Sequence, residues 1–471
     1  MLKHRFRSFL LLLHISVAVM TNAAIMQPNP IISLGNDVEV AVSSGDGSGI
    51  NDKKFGYYAD KRWEITDDSW VAVKVTSGTY SHVFFIWNCP DTSWSDAIGI
   101  PEESSCSNGV KIPVDYEILT SANSTDGSDG DWETAVTVEG NTVAARGHMV
   151  EFSGASWIKM HITAGTGRID EIEVFDVTND HRDTWFFLGS KITALMYKGP
   201  KSSGYTQRDK SPPDSNFAKM INNRNPEYFP AVVRGGVFCE LTSGDVVRDL
   251  SKYLEVAGNM HFWAIELGTY DAWGGGNENA AEFQSNLQII VDSCRNNGIE
   301  PIISRICSTN PQSLNPSWQI HGDFLKAVDD VTEENDLIPG ADFYAYFSTT
   351  FGKMDLGNDG VLPNNYGDFE MQREWNLKMD TVVYKADPVS VHPVKQVSGT
   401  AVGFAVHSEN GQLVLTTART GTVSVFSTDG RCLSRKNLSA TGMIRQGYAP
   451  GVYVVRFSAP EHTASVKVLH Y

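Results

Sequence analysis

The sequence predicts a multidomain chain, with an N-terminal all-β sandwich, a central α/β domain built on a doubly wound parallel sheet, and a small all-β C-terminal domain. Three observations predict it. Short alternating apolar runs recur between turn signals up to about residue 178. From about 183 to 386, strand-like apolar runs alternate with helical segments, the order that builds a parallel sheet. Beyond the Pro-containing stretch Ala386-Asp387-Pro388-Val389-Ser390-Val391-His392-Pro393 only strand-like runs follow. A chain of 471 residues is long enough for several domains, each with its own core.

The N-terminus reads as a secretory signal over residues 1–23. Lys3, Arg5 and Arg7 form a basic start, Phe9 to Met20 is apolar, and Thr21-Asn22-Ala23 offers small residues for cleavage. Removing it takes Lys plus Arg from 38 to 35 against 56 acids, so the net charge moves from −18 to −21. That balance argues against nucleic acid and anionic membrane surfaces as partners. No later stretch is apolar enough to span a bilayer, so no transmembrane helix is expected after signal removal. Six cysteines are too few for a disulfide scaffold. Cys89 and Cys106 flank one loop and are placed to pair; Cys294 and Cys307 pair or stay as free buried thiols.

The sandwich is expected over residues 24–178, with strands at Trp70–Val75, His82–Trp87, Thr134–Val138 and Trp157–Ile162. Two acidic, Gly-rich loops interrupt it, Ser43–Gly49 and Asn123–Asp131. Calcium takes clustered oxygen ligands, which makes Asp126, Asp129 and Asp131 a candidate set. The spacing fits no EF-hand, and a solvated turn is the plainer alternative. No other cofactor is indicated.

The central domain is expected over residues 183–386. Its strands are Thr184–Leu188, Ala231–Val233, Phe262–Leu267 and Pro301–Ile306, and its helices Ser243–Ala257, Ala280–Asn297 and Asp323–Glu334. Residues 387–398 are read as a linker and 399–471 as the C-terminal domain.

Three resemblances sharpen this outline. Ile50-Asn51-Asp52 with Trp63, Ser69-Trp70-Val71-Ala72-Val73 and Ile169-Asp170-Glu171-Ile172-Glu173-Val174-Phe175 resemble, in order, a galactose-binding-like jelly roll of the discoidin type. Gly421–Arg431, Ala449–Val455 and Ser465–Val468 are similar to the sorting domain of the Bacteroidetes type IX secretion system, which implies export through periplasm and outer membrane to the medium or cell surface, with that machinery as partner. The third is the run Trp185-Phe186-Phe187-Leu188-Gly189-Ser190-Lys191-Ile192-Thr193-Ala194, which resembles the first block of the SGNH (GDSL-type) esterase family.

In that family an acyl-transfer serine needs a base, an orienting carboxylate and oxyanion donors. The resemblance places the nucleophile position after Gly189 and Ser190, at Lys191, with Ser190 in the family's aspartate position. The second block, Val233–Glu240, puts Cys239 at the oxyanion glycine. The third, Glu266–Trp273, puts Tyr270 where the family has an asparagine donor, followed by Asp271. The fourth, Asp359–Asn364, keeps Asp359 and puts Leu362 in place of the general base. The implied pocket is lined by Lys191, Arg234, Tyr270, Asp271 and Trp273, cations and aromatics that suit a carboxylated sugar. The expectation is therefore a secreted, esterase-like protein without hydrolase chemistry and with a carbohydrate-binding or accessory role, its ligand a glycan or other small molecule. One alternative is an active carbohydrate esterase that uses Ser190 with His181 or His321 as base. The other is a structural cell-surface protein.

Overall fold

The computed structural model describes residues 28–52, 61–89, 111–179, 183–196, 216–237, 242–272, 279–307, 320, 322–357, 360 and 362–384. In the C-terminal part it describes 404–409, 412–417, 420–427, 432–438, 443–447, 451–459 and 462–470. The signal segment, the linker, Cys106, His181, Cys239, Trp273, His321 and Asp359 lie outside the described residues.

The N-terminal region is antiparallel throughout. Its strands are β1 (Glu39–Val42), β2 (Trp63–Ile65), β3 (Ser69–Lys74), β4 (His82–Asn88), β5 (Pro113–Ser121), β6 (Glu133–Val138), β7 (Ala145–Glu151), β8 (Trp157–Gly165), β9 (Gly167–Ile169) and β10 (Glu171–Asp176). They form a five-stranded sheet in the order β1-β3-β8-β5-β6, a three-stranded sheet β10-β4-β7, and the β2-β9 pair. Trp63, Phe85, Trp87, Tyr116 and Ile158 are buried within it. The four strands read from sequence all form.

The central region holds β11 (Thr184–Gly189), α1 (Lys191–Met196), α2 (Phe217–Arg224), β12 (Ala231–Gly236), α3 (Ser243–Arg248), α4 (Leu250–Ala257), β13 (Phe262–Glu266), α5 (Ala280–Asn296), β14 (Glu300–Ile303), α6 (Gly322–Glu334), α7 (Phe343–Ser348), α8 (Thr350–Met354) and α9 (Asn365–Val382). The four strands pair in parallel in the order β12-β11-β13-β14. Helices cover both faces, so the strands read as unbroken apolar runs. Along β11 the side chains alternate between two cores. Trp185 and Phe187 join α1, α2, α7 and α9 on one face. Phe186 and Leu188 join α3 to α6 on the other.

Two boundaries differ from the sequence reading. The expected helix Ser243–Ala257 is broken at Asp249, which binds Arg248 and Lys252 as an ion pair partner between α3 and α4. The fourth strand ends at Ile303, because Ser304 donates instead to the Ile265 carbonyl and Arg305 turns off to bridge Asp342.

The sandwich packs on the central region through β10-β4-β7. Phe175 meets Phe229 at 6.4 Å between centroids, and Asn259 donates to the Gly147 carbonyl at 3.1 Å. The C-terminal strands β15 (Phe404–Glu409), β16 (Gln412–Thr417), β17 (Gly421–Ser427), β18 (Cys432–Leu438), β19 (Met443–Gly447), β20 (Gly451–Ala459) and β21 (His462–His470) make two antiparallel sheets, β15-β16-β19 and β18-β17-β20-β21. Among the described residues no helix is long and apolar enough to cross a membrane.

Candidate functional site

The parallel sheet reverses its winding between β11 and β13, and open α/β sheets bind ligands outside the carboxyl ends of the strands at such a point. Here β11 ends at Gly189 and β13 at Glu266, paired directly in register. The helix that follows β11 lies very close to the sheet. A Cβ on Gly189 would fall 2.1 Å from the Thr193 hydroxyl, and one on Gly236 would fall 2.2 Å from the Ala194 nitrogen. Only glycine permits that approach.

Ser190 sits at this junction with its side chain fully engaged. Its hydroxyl donates to Glu266 Oε2 at 3.3 Å, and its oxygen accepts the Ile192 amide at 3.2 Å. Thr193 donates to the same carboxylate oxygen at 3.1 Å. All three side chains are buried, Ser190 to 1% exposure. Burial pushes the Glu266 carboxyl up to about 7, against the pull of the Thr193 and Ser190 hydroxyls. Glu266 Oε1 and the Thr269 hydroxyl make no hydrogen bond among the described residues. Nearby Cys307 is a buried thiol that burial, and then the Glu266 charge, drive upward. A carboxyl at the switch point was not read from sequence. The signal was present, since Glu266 is the one charged residue closing the buried run Phe262–Ile265.

The other expected pocket residues lie on the segments that leave these strands and on the loop before α9. Lys191 opens α1 and is half-buried. Tyr270 is half-buried on the loop after β13. Asp271 is turned away toward α3, accepting from the Ser243 amide at 3.0 Å and the Ser243 hydroxyl at 2.5 Å. Burial raises its pKa while those Ser243 donors lower it. Leu362 packs against the aromatic core cluster, and its carbonyl accepts the Gly357 amide. Arg234 does not join this group. It leaves β12 toward the sandwich and donates to Asn88 Oδ1. Each of Arg234 and Asp271 is thus held by a polar partner on another element.

The three carboxylates named as candidate calcium ligands are engaged within their own loop. Asp126 accepts from the Ser128 amide and hydroxyl, Asp129 from the Thr125 amide and hydroxyl, and Asp131 from the Asn123 amide group. Among the described residues no group of three His, Cys, Asp or Glu is arranged to hold a metal. Asp126 and Asp129 lie near Lys159, whose ammonium is 4.5 Å from the Trp70 ring centroid and 3.6 Å from that of Trp132. Burial lowers the Lys159 pKa, and Asp126 and Asp129 oppose that. Cys294 is a free buried thiol rather than half of a Cys294–Cys307 bridge, and burial pushes it up to about 12.

Asp271 supplies a direct test of this geometry. Asp271→Ala leaves the first amide of α3 without its acceptor inside a part-buried site. The expected cost is about 1–3 kcal/mol, read as a lower urea midpoint with unchanged slope. Asp271→Asn, which keeps one acceptor oxygen, costs less. Equal midpoints for the alanine variant and the parent chain would remove Asp271 from this role.

No protein-family profile matches the chain, and no curated protein matches it. Solved structures match in part. The chain is similar to a lipase/acylhydrolase from Enterococcus faecalis, at 17% identity over 42% of this chain and 95% of that one, with a TM-score of 0.32. It is similar to a Bacillus subtilis protein at 11% identity over 73% of this chain and 98% of that one, with a TM-score of 0.36. It is also similar to a catalytic mutant of an acetylxylan esterase from Geobacillus stearothermophilus, at 14% identity over 42% and 93%, with a TM-score of 0.32. Likenesses of this size assign neither fold nor activity, and the architecture of this chain rests on its own sheet order and residues.

Proposed function

We propose that the chain is an exported, glycan-binding or accessory protein whose central domain has an SGNH-esterase-like organisation without hydrolase chemistry. The domain division 24–178, 183–386 and 399–471, the signal at 1–23 and the type IX sorting tail belong to the same proposal, carried by the sequence resemblances. So does the jelly-roll identity of the sandwich.

The observation that carries the loss of chemistry is the Ser190–Glu266 bond. A nucleophile must present its oxygen to substrate while a base removes its proton. Ser190 is 1% exposed, and its oxygen already accepts the Ile192 amide in the first turn of α1. The neighbouring residue in the nucleophile position is Lys191, and the base position carries Leu362, which moves no proton.

The active-esterase reading keeps one point in its favour. A carboxyl with a pKa of about 7 lies 3.3 Å from a serine hydroxyl, which is the protonation range of a general base. The purified chain assayed on p-nitrophenyl acetate and acetylated xylan separates the two. The expected outcome is no turnover above a Lys191→Ala control. Turnover that disappears in Ser190→Ala would establish the esterase instead. A glycan array tests binding, and a blank array favours the structural-protein reading.

A further inference from the structure

Lys159 stands on the outer face of the five-stranded sheet, where β8 pairs it with Ala72 of β3 and Leu119 of β5. The alternate residues of β8, Ile158, Met160 and Ile162, face the sandwich core. A lysine this deep in a sheet is ordinarily paired with a carboxylate. Lys159 is 8% exposed, yet its Nζ makes no hydrogen bond and no ion pair among the described residues. It lies against two indoles instead, 3.6 Å from the Trp132 ring centroid and 4.5 Å from that of Trp70. The ring faces stabilise its charge, but its N–H donors still lack an oxygen acceptor.

Both indoles are half-buried, and each is held in place. Trp70 belongs to β3, opposite His161 of β8. Trp132 stands just before β6, and its Nε1 donates to the Asp129 carbonyl at 2.8 Å. The loop that carries Trp132 is seated on the sheet at Gly127. A Cβ there would fall 2.8 Å from the Ala41 Cβ and 2.9 Å from the Trp157 ring. The patch is therefore formed before any ligand arrives, which spares the ligand the cost of ordering it.

The chemistry of an occupant is constrained. The seat that two indoles would offer a cation is already filled by the chain's own ammonium. An anion would meet Asp126 and Asp129 along with Lys159, since both carboxylates act on that ammonium. A neutral oxygen meets neither obstacle and accepts from Nζ. C–H groups beside that oxygen would cover the indole surface left open to solvent. A pyranose ring carries both.

We infer that the outer face of the five-stranded sheet is a saccharide platform, on which a neutral pyranose ring lies against Trp70 and Trp132 and one of its oxygens accepts from the Lys159 ammonium. The inference rests on the glycan-binding reading and gives it a place away from the switch point.

The test is a glycan array of the purified chain and two variants, followed by calorimetric titration with cellopentaose, xylopentaose and mannopentaose. Polygalacturonate serves as the charged comparison. Lys159→Met keeps the apolar stem between the indoles and removes the donors. Trp132→Ala removes one wall from a residue outside the strands. Thermal melts check folding, and Trp132→Ala decides alone if Lys159→Met does not fold. The expected result is binding of a neutral oligosaccharide that each folded variant weakens about tenfold or more. Glycan binding that the folded variants retain would overturn the address while leaving the glycan reading intact. Polygalacturonate bound more tightly than any neutral probe, and lost in Lys159→Met, would overturn the neutral ligand class. Binding of a casein digest that needs Trp132, with every glycan silent, would reassign the face to peptides. Silence of all glycans on the array and in titration would remove both the platform and the glycan reading.

Discussion

Trp185→Ala is expected to destabilise the central domain by about 3–5 kcal/mol, the range for removing a large buried aromatic. The indole is fully buried in β11. It stacks on Phe262 of the neighbouring strand at 4.4 Å between centroids and 15° between planes. It also meets Phe217 at 5.2 Å and Tyr384 at 6.3 Å, so one side chain joins the sheet to α2 and to the residues just past α9. Its Nε1 donates to Asp183 Oδ1 at 3.0 Å. Alanine therefore opens a cavity and strips a donor from a buried carboxyl. Trp185→Phe separates the two losses, since it keeps most of the ring contact and loses only the N–H. Urea unfolding followed by far-UV circular dichroism checks both variants. The phenylalanine variant should fall well short of the alanine one, and an alanine variant with the parent midpoint would contradict the packing described here.

The same residues explain what the sequence disclosed. β11 was legible because both of its faces are buried, which leaves an apolar run with no alternation to mistake for an edge strand. Helix α9 was not legible, although it is the longest helix described. Met371, Trp375, Met379 and Val383 do recur every four residues and are buried. Beside them runs a second buried stripe of Gln372, Asn376 and Asp380. Two of these polar side chains bind other elements. Gln372 accepts the Phe217 amide and donates to the Met196 carbonyl, and Asp380 pairs with Arg224. A stripe that is half polar carries little periodic hydrophobic signal. At the switch point the limit was different. The resemblance put Gly189 and Ser190 at the turn after the first strand of the domain, where β11 meets α1. It did not indicate that Glu266 would take the serine hydroxyl, because that contact joins residues 76 positions apart.

Stability is expected to fall as pH rises from about 6.5 to about 7.5, and the slope is expected to come from two carboxyls at opposite ends of β11. Asp183 accepts from Tyr384 at 2.6 Å and from Trp185, yet full burial raises it from 3.8 to about 7. Glu266 rises from 4.5 to about 7 for the same first reason. A carboxyl whose folded pKa exceeds its unfolded value binds more protons in the folded state. Folding then gains stability below the unfolded pKa and loses it as pH climbs to the folded one. Most of that loss accrues between about pH 4 and 7, and about 0.7 kcal/mol per group falls between pH 6.5 and 7.5. Glu171, raised by burial and by Glu173, adds a contribution of the same sign. His148 opposes them. Burial holds its ring neutral down to about 3, so the unfolded chain takes up a proton there between 6.5 and 3, and stability falls on acidification. The opposing slope of His148 is largest below 6.5 and fades above it, so the carboxyls dominate the upper window. Melting temperatures of Glu266→Gln and Asp183→Asn across pH 6 to 8 resolve the assignment. Each substitution should flatten part of the decline, and the pair together most of it, because an amide carries no proton to release. An undiminished slope in Glu266→Gln would mean that this carboxyl is already ionised at neutral pH, and the Ser190 and Thr193 hydroxyls would then be serving a buried anion.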